Sequence, residues 1–185
     1  MATLIGLVGR RGAGKDLVAG YLVRTHGFRH VKFATALKQA LHHLFQWDES
    51  HTDGPKKETV DPRWGVSPRQ MMQFFGTEVL QHKLGEAIPG LGRTHAVRRL
   101  FLDWAEPTTE RLVISDCRFQ HEVDEIKRRD GLIVKLIRDR DEDDRDAVLD
   151  AHESEANVDT LTGVDVVIEN DGDVEDLFDE VENHI

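Results

Sequence analysis

The sequence predicts an α/β fold, a parallel sheet of about five strands with helices on both faces. Two observations carry this. Short apolar, β-leaning runs alternate with stretches of helical spacing along the chain. The first run ends in a glycine-rich segment, Gly9-Arg10-Arg11-Gly12-Ala13-Gly14-Lys15, which opens directly into a helical stretch. The right-handed crossover rule leaves few topologies for such an alternation. A chain of 185 residues, 39% hydrophobic and 32% charged, suits one soluble domain with its own core.

The elements follow in order. Thr3–Val8 reads as a buried strand ending at glycine. Ala13 to Arg24 reads as a helix with Leu17, Val18, Tyr21 and Leu22 on one face. His30–Phe33 is a short strand, and Ala34–Phe45 a helix carrying Ala36, Leu37, Ala40, Leu41 and Leu44 at helical spacing. Trp47–Val66, rich in Asp, Gly and Pro, reads as a loop. Ser67-Pro68 supplies an N-cap and a first-turn proline for a helix running to Leu84. A further helix is predicted over His95–Trp104. Arg111–Ser115 is a strand followed at once by Asp116, and Glu122–Arg129 a helix stopped by Asp130-Gly131. Leu132–Ile137 and Val164–Ile168 are strands around an acidic segment, Asp139–Ser154, and Val174–Val181 closes the chain as a helix.

Composition excludes several classes. The apolar runs are too short to span a bilayer, and the N-terminus lacks the basic region of a signal peptide. One cysteine, Cys117, permits no intrachain disulfide and suits a reducing cytoplasm, where we expect the protein to work (a host cytoplasm if it is viral). A net charge of −11 argues against a protein that wraps duplex nucleic acid. Acid concentrates in Asp139–Asp146 and Asp171–Glu182; base clusters at Arg10–Arg11, Arg93–Arg99 and Lys127–Arg129. The acidic excess reads as solvated surface.

The glycine segment carries the strongest chemical signal. Its glycines let backbone N–H groups turn inward around a phosphate, the helix N-terminus adds partial positive charge, and Lys15 reaches the outer phosphates. This phosphate loop spans Gly9, Arg10, Arg11, Gly12, Ala13, Gly14 and Lys15 and leads into Asp16 and Leu17, where a hydroxyl residue is expected first. Asp16 is either a Mg²⁺ ligand, direct or through water, or a first-turn acid that stabilises the helix and Lys15. Asp116 follows a strand, so it falls at the carboxyl edge of the sheet, where ligands bind. It either orients hydrated Mg²⁺ or the acceptor oxygen, or it caps the next helix. Arg118 can reach the same cleft or lie on the surface. Cys117 reads as a small packing residue.

The segments FATALKQAL (Phe33–Leu41), SPRQMMQFFGTE (Ser67–Glu78), ISDCRFQHEVDEIKRRDGLIVKLIR (Ile114–Arg138), HESE (His152–Glu155) and DVVIENDG (Asp165–Gly172) together resemble phage-type deoxynucleoside monophosphate kinases. The ordered set covers nearly the whole chain. Asp16 matches that family's phosphate loop; Leu17 departs from it, because members often carry Thr there. The resemblance implies a P-loop nucleoside monophosphate kinase fold over 1–185, with a helical monophosphate-binding region over 34–105 and a lid over 139–157. It implies transfer of the ATP γ-phosphate to a deoxynucleoside 5′-monophosphate, a phosphotransferase reaction with a phosphate acceptor (EC 2.7.4.-), in nucleotide metabolism with Mg²⁺.

On this resemblance Lys15, Asp16, Asp116, Arg118 and Arg138 are the catalytic candidates, with Asp16 and Asp116 holding Mg²⁺ through water. ATP falls to the phosphate loop with Leu17, Arg140 and Asn170. The monophosphate falls to Phe33, Lys38, Arg69, Gln73, Asp116 and Arg118. Arg69 is placed by chemistry as well, since a guanidinium fork fits phosphate, or else it is an exposed first-turn arginine; Gln73 either reads a base edge or is a polar residue at the edge of the core. The lid would use Arg140 and Arg145, or these arginines, like Arg138, pair with neighbouring acids on a solvated loop. Asn170 either touches adenine or serves a turn. His152 and Glu153 read as capping or lid-anchoring residues, and Trp47, Trp64 and Trp104 as packing residues, with Trp64 a candidate for base stacking. The expected partners are the two small substrates, with no duplex nucleic acid, no membrane and a homodimer as an open option. Two other readings compete: another small-molecule kinase of this fold, such as a dephospho-coenzyme A or shikimate-type kinase, and a non-catalytic nucleotide-binding switch.

Overall fold

The computed structural model describes residues 2–89, 91, 110–138 and 157–185. The predicted His95–Trp104 helix, Trp104, Arg140, Arg145 and the HESE segment lie outside them. In chain order the elements are β1 (Leu4–Val8), α1 (Lys15–His26), β2 (Arg29–Val31), α2 (Thr35–Phe45), α3 (Glu49–Thr52), α4 (Pro68–Gln73), a π-helical stretch (Phe74–Lys83) and α5 (Leu84–Ala87). Then come β3 (Leu112–Cys117), α6 (Gln120–Arg128), β4 (Leu132–Ile137), a 3₁₀ turn (Asn157–Asp159), β5 (Val166–Glu169) and α7 (Val174–Glu182). They fall into two compact units, Met1–Lys32 with Trp104–Ile185, and Phe33–Asp103.

The first unit holds the sheet. Its order is β2-β3-β1-β4-β5 and every pairing is parallel. β1 is central and buried along its whole length, which is why its sequence shows no polar alternation. Ile5 and Leu7 pack with Val18, Ala19 and Leu22 of α1 and Leu177 and Val181 of α7. Residues of the opposite parity meet α6: a Cβ on Gly6 would stand 2.7 Å from Ile126 Cδ1 and 2.9 Å from Ile133 Cδ1. So Gly6 lets α6 lie close against the strand. α7 starts where Asp173 accepts hydrogen bonds from the N–H groups of Glu175 (2.8 Å) and Asp176 (3.0 Å).

Several details differ from expectation in this unit, among them β2, which spans Arg29–Val31 and stops two residues short of Phe33. Leu17 is 39% exposed, and the core face of α1 is Val18, Ala19 and Leu22, one step round the helix from it. Tyr21 is half-buried and stacks on Phe178 of α7. β3 also runs two residues past Ser115. Gly6 pairs with Ile114 while Val8 pairs with Cys117, so β3 carries one extra residue opposite Leu7. This bulge falls at Ser115-Asp116 and re-aims those side chains at the strand's end.

The second unit is helical. α4 begins with a reciprocal cap: Ser67 Oγ accepts from Gln70 N–H (3.2 Å), and Gln70 Oε1 accepts from Ser67 N–H (2.9 Å). The helical path then widens to i→i+5 bonding through Phe74–Lys83 and ends at Ala87, three residues beyond the predicted stop. The predicted loop contains α3, capped by Asp48 Oδ1, which accepts from Ser50 N–H at 2.9 Å. Of the apolar stripe read on α2, only Leu41 is fully buried, and Leu44 is exposed. Trp47 is buried, donates its indole N–H to Asp61 Oδ2 at 2.8 Å and stacks on Phe45; Trp64 is exposed and donates to the Phe45 carbonyl at 3.0 Å.

Candidate active site

The glycine segment forms a closed loop between β1 and α1 at the carboxyl edge of the sheet. Two glycines are required by contact. A Cβ at Gly9 would stand 2.6 Å from the Leu136 carbonyl oxygen, and one at Gly14 2.7 Å from Asn170 Nδ2; Gly14 also has φ 99°. Lys15 is buried at the first position of α1, and its ammonium donates to the carbonyls of Gly9 and Arg10, each at 2.7 Å. The loop is therefore wrapped around a cation. Asn170 is buried behind it after β5 and donates to the Ala13 carbonyl at 3.1 Å, a buttress to the loop. Arg10 pairs with Asp159, its Nε at 3.1 Å.

Asp16 is held by residues outside the set of sequence candidates. Its Oδ1 pairs with Lys32 Nζ at 2.8 Å and accepts from Ser115 Oγ at 2.7 Å. Ser115 Oγ lies 2.7 Å from His30 Nε2. Because the hydroxyl proton goes to Asp16, the serine oxygen must accept from His30, which places that ring's proton on Nε2. Burial first, then Lys32, holds the His30 pKa below its usual value, so the ring is neutral at pH 7. Burial alone would raise the Asp16 pKa, but the Lys32 and Ser115 hydrogen bonds outweigh it and keep the carboxylate ionised. Asp116, beside the bulge, is half-buried and near enough to act electrostatically on His30 and Cys117. Asp16 and Asp116 offer hard oxygen donors of the kind Mg²⁺ takes. A hydroxyl from another strand, Ser115, thus stands against Asp16. The faint signal for it is a serine directly before Asp116 in an otherwise apolar run.

Arg118 follows β3 and is half-buried; Arg138 follows β4 and is exposed. The turn at Arg118 is fixed by Glu122, whose Oε2 accepts the backbone N–H of Arg118 (2.8 Å) and of Phe119 (3.1 Å). Cys117 is buried without accessible sulfur, and burial pushes its thiol well above the usual range, consistent with packing. Burial likewise pushes Glu122 up to about 8, against the pull of those two N–H groups. Unfolded, Glu122 ionises near 4.5; folded, it keeps its proton to about 8. Its contribution to stability is therefore complete below pH 4.5 and is lost as pH rises through 8. Between about pH 5 and 9 the wild-type melting temperature should fall more than that of Glu122→Gln, by about 2–4 °C or more; parallel curves in a thermal-denaturation series would count against a buried protonated Glu122.

In the second unit, Arg69 opens α4, and its guanidinium donates to Glu58 Oε1 from Nε (3.0 Å) and Nη2 (2.6 Å). Lys38 of α2 pairs with Asp53. Lys57 is half-buried near both; it lies in the segment that the sequence marks as a loop and is not among the sequence candidates. Phe33 is buried at the unit's first residue, and Gln73 is the last residue of α4, half-buried.

A five-stranded parallel sheet with a lysine-centred phosphate loop after β1 defines a P-loop fold. Shikimate kinase from Aquifex aeolicus superposes over 97% of this chain and 94% of its own, with TM-score 0.51 and 14% identity. Dephospho-CoA kinase from Campylobacter jejuni does so over 99% and 95%, with TM-score 0.53 and 12% identity. At such identities the likeness is one of fold. Sequence is more specific: the family model for deoxynucleotide monophosphate kinase matches residues 56–181. A candidate deoxynucleotide monophosphate kinase of Acanthamoeba polyphaga mimivirus is 36% identical over 185 residues, covering 96% of this chain and 93% of that protein. The deoxynucleotide monophosphate kinase of Enterobacteria phage T4 is 25% identical over 127 residues, 67% of this chain and 46% of that protein. The chain belongs to the deoxynucleotide monophosphate kinase family. No helix among the described residues is long and apolar enough to cross a membrane.

Proposed function

We propose that this protein transfers the γ-phosphoryl group of ATP to the 5′-phosphate of a deoxynucleoside monophosphate, giving the diphosphate and ADP. The observation that carries the reading is the loop wrapped around Lys15, in a chain of this family. An acceptor phosphate oxygen forms a bond to Pγ as the bond from Pγ to the β–γ bridging oxygen breaks, and ADP leaves. The acceptor is already anionic, so the work lies in positioning and in neutralising charge. Gly9 to Lys15 would cradle the ATP phosphates through backbone N–H groups and the Lys15 ammonium. Arg118 and Arg138 sit at the sheet edge, where guanidinium groups suit the transferring phosphoryl; Arg140 and Arg145 keep the lid role proposed from the sequence. Arg69 and Lys38 are the proposed contacts of the monophosphate, with Phe33 and Gln73 toward its nucleoside.

Mg²⁺ fits the donors present: Asp16 and, through water, Asp116 would hold it, and it would supply charge neutralisation at the ATP phosphates. Ser115 and His30 fix the orientation of Asp16 through hydrogen bonds. Ser115→Ala should raise the Mg²⁺ concentration for half-maximal rate about tenfold. The same factor should appear in Mn²⁺ binding followed by paramagnetic resonance with ADP present; an unchanged metal dependence would remove Ser115 from this role.

The reading is tested by ADP release coupled to a chromogenic reaction, with dAMP, dCMP, dGMP, dTMP and their ribose forms as acceptors. Turnover that needs a dNMP supports it. Turnover only with another acceptor, or ATP binding without any transfer, refutes it.

A further inference from the structure

Three cations are gathered in the second unit by contacts that bring separate pieces of chain together. His42 of α2 bonds Thr52 Oγ1 of α3 at 2.8 Å, and Lys38 pairs with Asp53, just beyond. The chain then turns back, with Lys56 N–H on the Ser50 carbonyl (3.0 Å) and Lys57 N–H on the Gly54 carbonyl (3.2 Å). Arg69 N–H, in the first turn of α4, donates to the Lys57 carbonyl at 2.9 Å. Lys38, Lys57 and Arg69 therefore belong to one cluster, although they lie far apart in sequence.

The charge in this cluster does not close. Lys38 and Arg69 each have a carboxylate, Asp53 and Glu58, whereas among the described residues no carboxylate pairs with the Lys57 ammonium. The cations are also the inner partners. Side chains of Lys38 and Arg69 are 15% and 17% exposed, those of Asp53 and Glu58 48% and 44%. Exposed lysines usually extend their charge into water. Here a half-buried lysine lies within electrostatic reach of Arg69 and Lys38 and of the carboxylates of Asp53 and Glu58, so three cations face two anions, in a chain whose net charge is −11. Such an excess is relieved by a bound anion carrying two charges.

We propose that Lys57 is a third binding residue for the acceptor's 5′-phosphate, forming with Arg69 and Lys38 a receptor for a phosphate dianion. This rests on the dNMP kinase reading and adds to it a residue and a linkage. Burial, Arg69 and Lys38, in that order, lower the Lys57 pKa to about 8 against the attraction of Asp53 and Glu58. Phosphate arriving between these groups favours the charged ammonium, so binding near pH 8 draws a proton from solvent.

The test is calorimetric titration of the full chain with dNMP, and separately with inorganic phosphate, at about pH 8 in two buffers of different ionisation enthalpy. The wild type should take up a fraction of a proton, up to about one half. Lys57→Met should weaken dNMP binding about tenfold to a hundredfold and abolish the uptake, with ATP affinity held within about twofold. Lys57→Arg, whose charge is permanent, should restore binding without restoring the uptake. Wild-type affinity or undiminished proton uptake in Lys57→Met overturns the proposal, as does an absence of uptake in the wild type. Two failures separate cleanly. If dNMPs are phosphorylated but uptake is missing, Lys57 falls and the kinase reading stands. If phosphate binds with Lys57-dependent uptake but no dNMP is an acceptor, the receptor stands and the acceptor was misassigned.

Discussion

Replacing Lys15 with alanine should lower kcat/KM by about a thousandfold with every dNMP and leave the fold in place. The expectation comes from where the ammonium is, not only from its place in a motif. It is buried, at the first residue of α1, with the Gly9 and Arg10 carbonyls as its partners. An ammonium held among carbonyl groups at a helix N-terminus places positive charge where the phosphates of a nucleoside triphosphate would lie. The attraction is strongest when charge spreads over the oxygens of the transferring phosphoryl, which puts the loss mainly in kcat. Alanine also removes the two hydrogen bonds that close the loop. Lys15→Met, which retains the aliphatic stem, separates loss of charge from loss of packing. Both variants should show the same loss in a coupled assay, with melting temperatures near that of the wild type. Turnover within about tenfold of the wild type in either would remove Lys15 from the reaction.

The inner strands of the sheet are legible in the sequence because they are buried nearly along their length, whereas β2 and β5 at the edges are partly exposed. Thr3–Val8, Arg111–Ser115 and Leu132–Ile137 stand out as apolar runs, and the structure makes them neighbours: β1 lies between β3 and β4. Burial of α2 and the course of α4 are less legible. Helical spacing marks which residues share a face, but not how much of that face a neighbouring element covers. Leu44 therefore reads as core in the sequence and is exposed in the structure.

The site divides in the same way. The phosphate loop is contiguous in sequence, so its glycines and Lys15 can be read directly. What surrounds Asp16 is assembled by topology. Lys32 follows β2, and Ser115 lies near the end of β3, so neither stands near Asp16 in sequence; the parallel pairing of β2 with β3 brings their ends together. A one-residue bulge decides how Ser115 and Asp116 are presented, and no residue type announces a bulge in a parallel pair. Positions 16 and 17 carry no hydroxyl, and the hydroxyl of Ser115 on β3 hydrogen-bonds Asp16. Leu17, next to Asp16 in sequence, is exposed.

Arg69→Ala should raise KM for the dNMP about a hundredfold and change KM for ATP by less than about twofold. Arg69 is already committed to Glu58 through two of its donors. A guanidinium has about five N–H donors in a planar fork, so a carboxylate at one edge leaves further donors for a phosphate. Glu58 then acts as the residue that orients the fork, and Glu58→Gln should cost less than Arg69→Ala in the same measurement. Removing Arg69 has a second consequence. It withdraws the principal cationic neighbour of Lys57, so the Lys57 ammonium should gain protons in the free protein. Proton uptake on dNMP binding near pH 8 should therefore shrink in Arg69→Ala even where weaker binding is overcome by concentration. Arg69→Lys keeps the charge but not the fork, and we expect it to recover the proton uptake more fully than the affinity. A selective loss of ATP binding in Arg69→Ala would place this arginine on the donor side of the reaction instead, and the cation cluster would then have to be assigned to ATP.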